Sequence, residues 1–315
     1  MTIEVVSKSF TLYAVYIETT DNTDQLISGI TNCSLDLGLQ NVQLGADGAV
    51  YDTFVALMRQ QPKFTFTTKM CATALATCGV NGIKIDSDTD DVGMVFYFQQ
   101  MSEGGTRGGA STNISLTVNE GLLYPVSVSA SHGGEAEVTY ELMVGYDGTN
   151  APIVVAIDQS LEGTASVSES YTLGPVNING TNMEGIQSAN INFGINAISL
   201  GADGSPYDTF QTVMRVVPSA TFSTLDMEAI NTLGIGGLKQ SDTDSVFYLR
   251  KMSEGGTRVA NATEEHISFT VDEGKWDVQN MSAAHGSVGN ANIICIPTYD
   301  STNSPFVIDT TAAIS

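Results

Sequence analysis

Basic residues are scarce in this chain. Lys and Arg number 12 against 35 Asp and Glu, for a formal net charge of −23. That shortage excludes a basic stripe of the kind that grips nucleic acid. Long apolar runs are missing as well, and no segment approaches the length of a membrane-spanning helix. The opening Met1–Val6 lacks the basic-then-apolar pattern of a signal peptide, so assembly in a cytoplasm with no membrane partner is expected. The four cysteines, Cys33, Cys71, Cys78 and Cys295, include no CxxC pair of the zinc or redox type. Cys71 and Cys78, if on one helix, would lie about 10 Å apart along its axis, too far to bridge. Reduced thiols are expected. Catalytic signatures are also absent: there is no GxSxG elbow, no HExxH and no phosphate-binding glycine loop. His132 and His285 each precede a glycine, and no partner residue marks either as a general base. Neither an enzyme nor a cofactor is expected.

What the chain does contain, it contains twice. Leu44-Gly-Ala-Asp-Gly48 returns as Leu200-Gly-Ala-Asp-Gly204, and Tyr51-Asp-Thr-Phe54 as Tyr207-Asp-Thr-Phe210. Met101-Ser-Glu-Gly-Gly-Thr-Arg107 returns as Met252-Ser-Glu-Gly-Gly-Thr-Arg258, and Ser129-Ala-Ser-His132 as Ser282-Ala-Ala-His285. The spacing between copies stays between 151 and 156 residues, so each copy has the size of an ordinary domain. The division expected is 1–160 and 161–315. The charge divides the same way: 18 acids and 6 bases up to Ser160 give −12, and 17 and 6 beyond it give −11. Acidity therefore belongs to each domain. It serves solubility, a saline host, or the repulsion of a polyanion passing close by. Cys33, Cys71 and Cys295 align with Ala189, Met227 and Leu142, apolar residues that suit packed thiols.

Period-two alternation dominates, as in Lys63-Phe-Thr-Phe-Thr67, Ile114-Ser-Leu-Thr-Val118 and Ile267-Ser-Phe-Thr-Val271. Val95–Phe98 and Val246–Leu249 are continuously apolar, as in strands covered on both faces. One helix per copy is expected, over Lys69–Cys78 closed by Gly79 and over Met227–Leu233 closed by Gly234. A shorter helical turn is expected over Asp52–Arg59, with Phe54, Leu57 and Met58 on one face. The fold class expected is mainly β: a tandem duplication of an antiparallel β-sandwich or partial barrel with one short helix per copy.

Three segments could carry chemistry. Asp86, Asp88 and Asp90 alternate like the opening of a calcium loop, and Asp242 and Asp244 echo them. However, the glycine position of that loop holds Asp91 and its twelfth position holds Tyr97. A polar turn is the plainer reading, with metal binding the weaker one. The repeated Met-Ser-Glu-Gly-Gly-Thr-Arg places Glu103 with Arg107 and Glu254 with Arg258, either as surface pairs worth about 0–1 kcal/mol or as arginine–carboxylate contacts between subunits. The Leu-Gly-Ala-Asp-Gly turn followed by Tyr-Asp-Thr-Phe reads as a tight turn feeding a loop that buries an aromatic.

A duplicated, acidic β domain with one helix and no active-site constellation resembles a phage tail tube protein. The resemblance implies a virion protein whose β-sandwiches form rings around an acidic lumen, duplicated members assembling as trimers that mimic hexamers. It implies partnership with copies of itself and other virion proteins, and with double-stranded DNA that passes without specific binding. A double-barrel viral capsid protein is one alternative. An extracellular carbohydrate- or calcium-binding module is another, although the single tryptophan, Trp276, offers no aromatic platform.

Overall fold

A computed structural model describes the chain except residues 1–8, 19–23, 49, 87–92, 103–104, 106, 110, 203, 229–230, 232, 235, 241–243 and 287. The protein is mainly β. The strands up to residue 160 are β1 (Ser9–Glu18), β2 (Asp24–Ile27), β3 (Ile30–Asp36), β4 (Leu39–Leu44), β5 (Phe54–Gln60), β6 (Lys63–Thr68), β7 (Ile83–Asp86), β8 (Met94–Met101), β9 (Asn113–Val118), β10 (Glu120–Ser131), β11 (Glu137–Val144) and β12 (Val154–Gln159). Beyond it follow β13 (Tyr171–Ile178), β14 (Thr181–Met183), β15 (Ile186–Asn192), β16 (Ile195–Leu200), β17 (Phe210–Val216), β18 (Ser219–Thr224), β19 (Leu238–Gln240), β20 (Ser245–Lys251), β21 (His266–Val271), β22 (Glu273–Ser282), β23 (Asn290–Thr298) and β24 (Val307–Ala312). Helix α1 spans Cys71–Cys78.

The two halves match strand for strand. The outer sheet β12-β9-β8-β1-β2 is answered by β24-β21-β20-β13-β14. The half-sheet formed by β7, β10, β11, β6 and β3 is answered by β19, β22, β23, β18 and β15. Irregularities recur too: the register shift at Pro125/Ser127 in β10 has its counterpart at Val278/Asn280 in β22.

Alternation explains the layering. In β6, Phe64, Phe66 and Thr68 are buried while Lys63, Thr65 and Thr67 face the other way. In β11, Val138, Tyr140, Leu142 and Val144 point the same way as the β6 aromatics. Each half packs that apolar face against its outer sheet, and burying each large side chain stabilises the fold by about 1.5–3 kcal/mol. Phe64 stacks on Phe96 of β8 with ring centroids 4.1 Å apart. In the second half Phe222 meets Phe247 of β20 at 5.4 Å and Trp276 of β22 at 5.7 Å. β8 is buried along Met94–Tyr97, as its continuous apolar run led us to expect.

α1 confirms the first expected helix, beginning at Cys71 and ending at Gly79 (φ 62°). Thr68 accepts from the N–H of Met70 at 3.0 Å and so shapes the preceding turn, outside the helix. The second expected helix, Met227–Leu233, includes residues outside those described. All four cysteines are free, and burial raises the thiol pKa of Cys33 to about 11 and that of Cys78 to about 12.

Two expectations need correction. Asp52–Arg59 is not a helical turn, because β5 pairs with β4 from Phe54 to Gln60 as a two-stranded hairpin. Phe54 and Met58 are exposed, so no apolar face exists to dock a helix there. The loop before it buries no aromatic either, since Tyr51 is 81 % exposed. β16–β17 forms the equivalent hairpin. Gly38 and Gly194 turn the chain from sheet into hairpin at φ 55° and 60°. A Cβ there would come within 2.1 Å of the Gln61 carbonyl oxygen and 1.8 Å of that of Val217.

Candidate functional site

The two halves fuse edge to edge into one ten-stranded sheet. β10 makes this possible by forking. Its beginning, Glu120–Leu123, pairs with β7, and its end, Ser127–Ser131, pairs with β15. The register runs Ser127↔Asn192, Val128↔Ile191, Ser129↔Asn190, Ala130↔Ala189 and Ser131↔Ser188. The His132 N–H donates to the Gln187 carbonyl at 2.7 Å and the Phe193 N–H to that of Val126 at 3.1 Å, extending the ladder. On the core side Val128 and Ile191 are each 1 % exposed. Each ladder hydrogen bond contributes about 0.5–1.5 kcal/mol net.

A polar clamp flanks this seam. The Arg59 guanidinium on β5 donates to both carboxylate oxygens of Asp208, Nε to Oδ1 at 3.0 Å and Nη2 to Oδ2 at 2.7 Å. It also donates to the Ser199 carbonyl at 3.1 Å, and Gln61 donates to Asp208 Oδ2 at 2.8 Å. The Gln60 N–H reaches the Pro206 carbonyl at 2.7 Å, and the Tyr146 and Tyr207 rings lie 5.1 Å apart. Asp208 is buried, and burial pushes its pKa up. Hydrogen bonds from Arg59, Gln61 and Ser199, with the charge of Arg59, outweigh that and hold it below the ordinary aspartate value. Two-toothed arginine–carboxylate contacts fix orientation as well as adding energy. Sequence reasoning missed this clamp. Its signal was the repeated Tyr-Asp-Thr-Phe, which was read only as part of a loop that buries an aromatic.

The seam joins unlike edges: the end of β10 from the first half, and β15 from the second. Their counterparts, the end of β22 and the strand β3, lie at the two extremes of the sheet. Among the described residues β3 pairs only with β6, and the end of β22 only with β23. These edges carry apolar side chains where the seam buries them. Met281, matching Val128, is 52 % exposed, and Leu35, matching Ile191, is 37 % exposed. Leu37 is 42 % exposed where its counterpart Phe193 is buried. Unpaired, apolar sheet edges invite another strand.

The other face of the central sheet is largely polar, though Met143 of β11 and Ile294 and Ile296 of β23 also lie on it. It presents Thr65 and Thr67 of β6, Thr139 of β11, Ser127 and Ser129 of β10, Asn190 and Asn192 of β15, and Asn280 and Asn292 in the last strands. Two of its lysines are held by acids, Lys63 by Glu141 at 2.8 Å and Lys275 by Asp277 at 2.8 Å, while Lys239, opposite Lys275, is exposed with no ion pair among the described residues.

The motifs singled out in the sequence lie elsewhere. Asp86 ends β7 and is ion-paired with Lys84. Asp244 is exposed near Asp272, whose pKa rises through burial and then through the charge of Asp244. Asp88, Asp90, Asp242 and Glu103 lie outside the described residues. No group of three or more His, Cys, Asp or Glu among the described residues is placed to hold a metal. At the ends of the repeated glycine-rich segment, Arg107 bridges to Met101 and Arg258 to Met252. Glu254 and Arg258 form no ion pair with each other; the Arg258 guanidinium contacts the Met252 sulfur at 2.9 Å. His266 is a structural histidine, accepting from the Lys251 N–H at 3.1 Å.

No protein-family model matches the chain, and no curated protein matches it.

Proposed function

We propose that this protein is the tail tube subunit of a phage, closing into rings through its central sheet. The observation that carries the reading is the ten-stranded sheet with two complementary free edges, the end of β22 beyond its pairing with β19 and the strand β3, each the counterpart of one partner in a seam the chain already makes. Contact between unlike edges is head-to-tail, and such contacts generate rings when the rotation closes. Three chains supply six half-chains, and a summed charge of 3 × −23 = −69 per ring. The polar face of the sheet then lines the bore. Hydroxyls, amides and lysines paired with acids, Lys239 excepted, give phosphates little to hold, because tight binding of DNA requires several free Lys and Arg that release counterions. Other virion proteins meet the ring at its faces, where the β4–β5 and β16–β17 hairpins expose Leu44, Phe54, Leu200 and Phe210.

Light-scattering mass and negative-stain electron microscopy of concentrated protein test this. Rings of trimer mass with a central hole, or hollow tubes, are the expected result. A persistent monomer, or shells and flat hexagonal sheets, contradicts it, the latter in favour of a capsid protein.

A further inference from the structure

The clamp beside the internal seam has a second, incomplete copy split between the two ends of the chain. Arg59 of the first half corresponds to Arg215 of the second, each two positions before a strand-ending turn and each opposite an equivalent residue: Arg59 faces Gln40, and Arg215 faces Asn196. Asp208 corresponds to Asp52 within the repeated Tyr-Asp-Thr-Phe. Within one chain Arg215 and Asp52 are both exposed, and among the described residues neither has an ion-pair partner. We infer that Arg215 of one chain binds Asp52 of a second copy, reproducing across the intermolecular seam the Arg59–Asp208 clamp. This rests on the ring reading and specifies its contact.

Direction of assembly supports the pairing. The internal seam takes its arginine from the half that contributes β10 and its aspartate from the half that contributes β15. A seam between the end of β22 and the next chain's β3 therefore takes arginine from the second half and aspartate from the first. The same mapping sets the register at Asn280↔Asp36, Met281↔Leu35 and Ser282↔Ser34. It brings the exposed Met281 and Leu35 together as Val128 and Ile191 are brought together now.

Local geometry is already set. The Thr53 N–H donates to the Leu44 carbonyl at 3.0 Å, as the Thr209 N–H does to that of Leu200 at 3.0 Å. A Cβ on Gly45 would lie 3.0 Å from Asp52 Oδ1, as one on Gly201 would lie 2.8 Å from Asp208 Oδ1. The aspartate thus sits against its turn in the same pose in both halves. Further counterparts wait around it: Tyr51 and Tyr299, matching the touching Tyr207 and Tyr146, are 81 % and 63 % exposed. Val50, matching Pro206 whose carbonyl accepts from Gln60, is 88 % exposed. Val217 stands where Gln61 would be, so the second clamp has the guanidinium without the amide.

Charge exchange in the full chain tests the pair, with assembly followed by sedimentation and fold integrity by thermal unfolding. Arg215→Glu and Asp52→Arg each place like charges at the seam and are expected to weaken assembly about tenfold or more. The milder Arg215→Gln and Asp52→Asn give smaller losses of the same sign. The double variant R215E/D52R is expected to restore assembly, because the swapped charges again meet between chains. Single variants that assemble like the natural protein, or a double variant as weak as the singles, overturn the pair while leaving the rings standing. Failure of the natural protein to assemble overturns the ring reading and the pair with it.

Discussion

Replacing Trp276 by alanine is expected to lower the stability of the fold by about 3–5 kcal/mol, the range for deleting a large buried aromatic. The indole is fully buried and stacks on Phe222 at 5.7 Å. Its Nε1–H donates to Gln240 Oε1 at 2.9 Å, and Gln240 is itself fully buried. Alanine therefore leaves a cavity and removes a donor from a buried amide, which Ser245 continues to satisfy in part. Trp276→Leu is the informative companion. Leucine is the residue found at the matching position, Leu123, which is also fully buried. It refills much of the volume and is expected to lose clearly less than alanine. Urea denaturation of both variants measures the difference. A loss below about 1 kcal/mol for alanine would mean that Trp276 is not the packing centre of the second half.

Asp208→Ala is expected to loosen the join between the two halves by about 2–3 kcal/mol, the scale of charge-assisted hydrogen bonds removed from a buried site. The Arg59 side chain is 38 % exposed, so water relieves part of its loss and keeps the effect below that of a fully buried pair. Gln61 loses its acceptor too. Acid has the same sense. Because the folded-state pKa of Asp208 is depressed, its contribution is present above the unfolded aspartate value and is lost as pH falls through the folded one. Hydrogen exchange at the β10–β15 amides reports the loosening directly. Faster exchange at the His132 and Phe193 amides is expected in Asp208→Ala, with the amides of β8 and β20 little changed. Uniform exchange across all of them would place the aspartate's role outside the seam.

The layers of this fold were legible because burial writes itself into sequence. Phe64 and Phe66 alternate with threonines, so the strand and its inward face could be read directly. The repeat did the same for the correspondence of the two halves, since matched motifs mark matched turns, but not for the strand order. The hairpins were not legible. Phe54, Leu57 and Met58 have the spacing of a helix face, and only the pairing of β5 with β4 excludes one. Their side chains are exposed and lie outside the chain's own core, where periodicity carries no secondary-structure meaning.

The candidate site was harder still. Arg59 and Asp208 are 149 positions apart, and nothing in their spacing joins them. The sequence drew attention to the glycine-rich arginines because seven residues recur unchanged there. Yet those arginines fold back on their own loops, and the seam uses a recurrence of only four residues, Tyr-Asp-Thr-Phe. Conformational demand and intermolecular contact both preserve residues between copies. Only the strand order separates them, by showing which recurrences sit at a sheet edge.

The most direct measurement of ring closure is a cysteine pair at the free edges, Ser34→Cys with Ser282→Cys, in a Cys33→Ala background that borrows the residue of Ala189. In one chain these positions sit on β3 and β22, seven strand steps apart in the sheet order, or about 34 Å at about 4.8 Å per step. No bond within a chain spans that distance. A seam repeated between chains predicts disulfide-linked oligomers on oxidation, with the ladder on a non-reducing gel ending at the ring, three chains in the reading proposed. Assembled protein that yields only monomer on that gel would contradict the seam, and a ladder without an end would contradict closure.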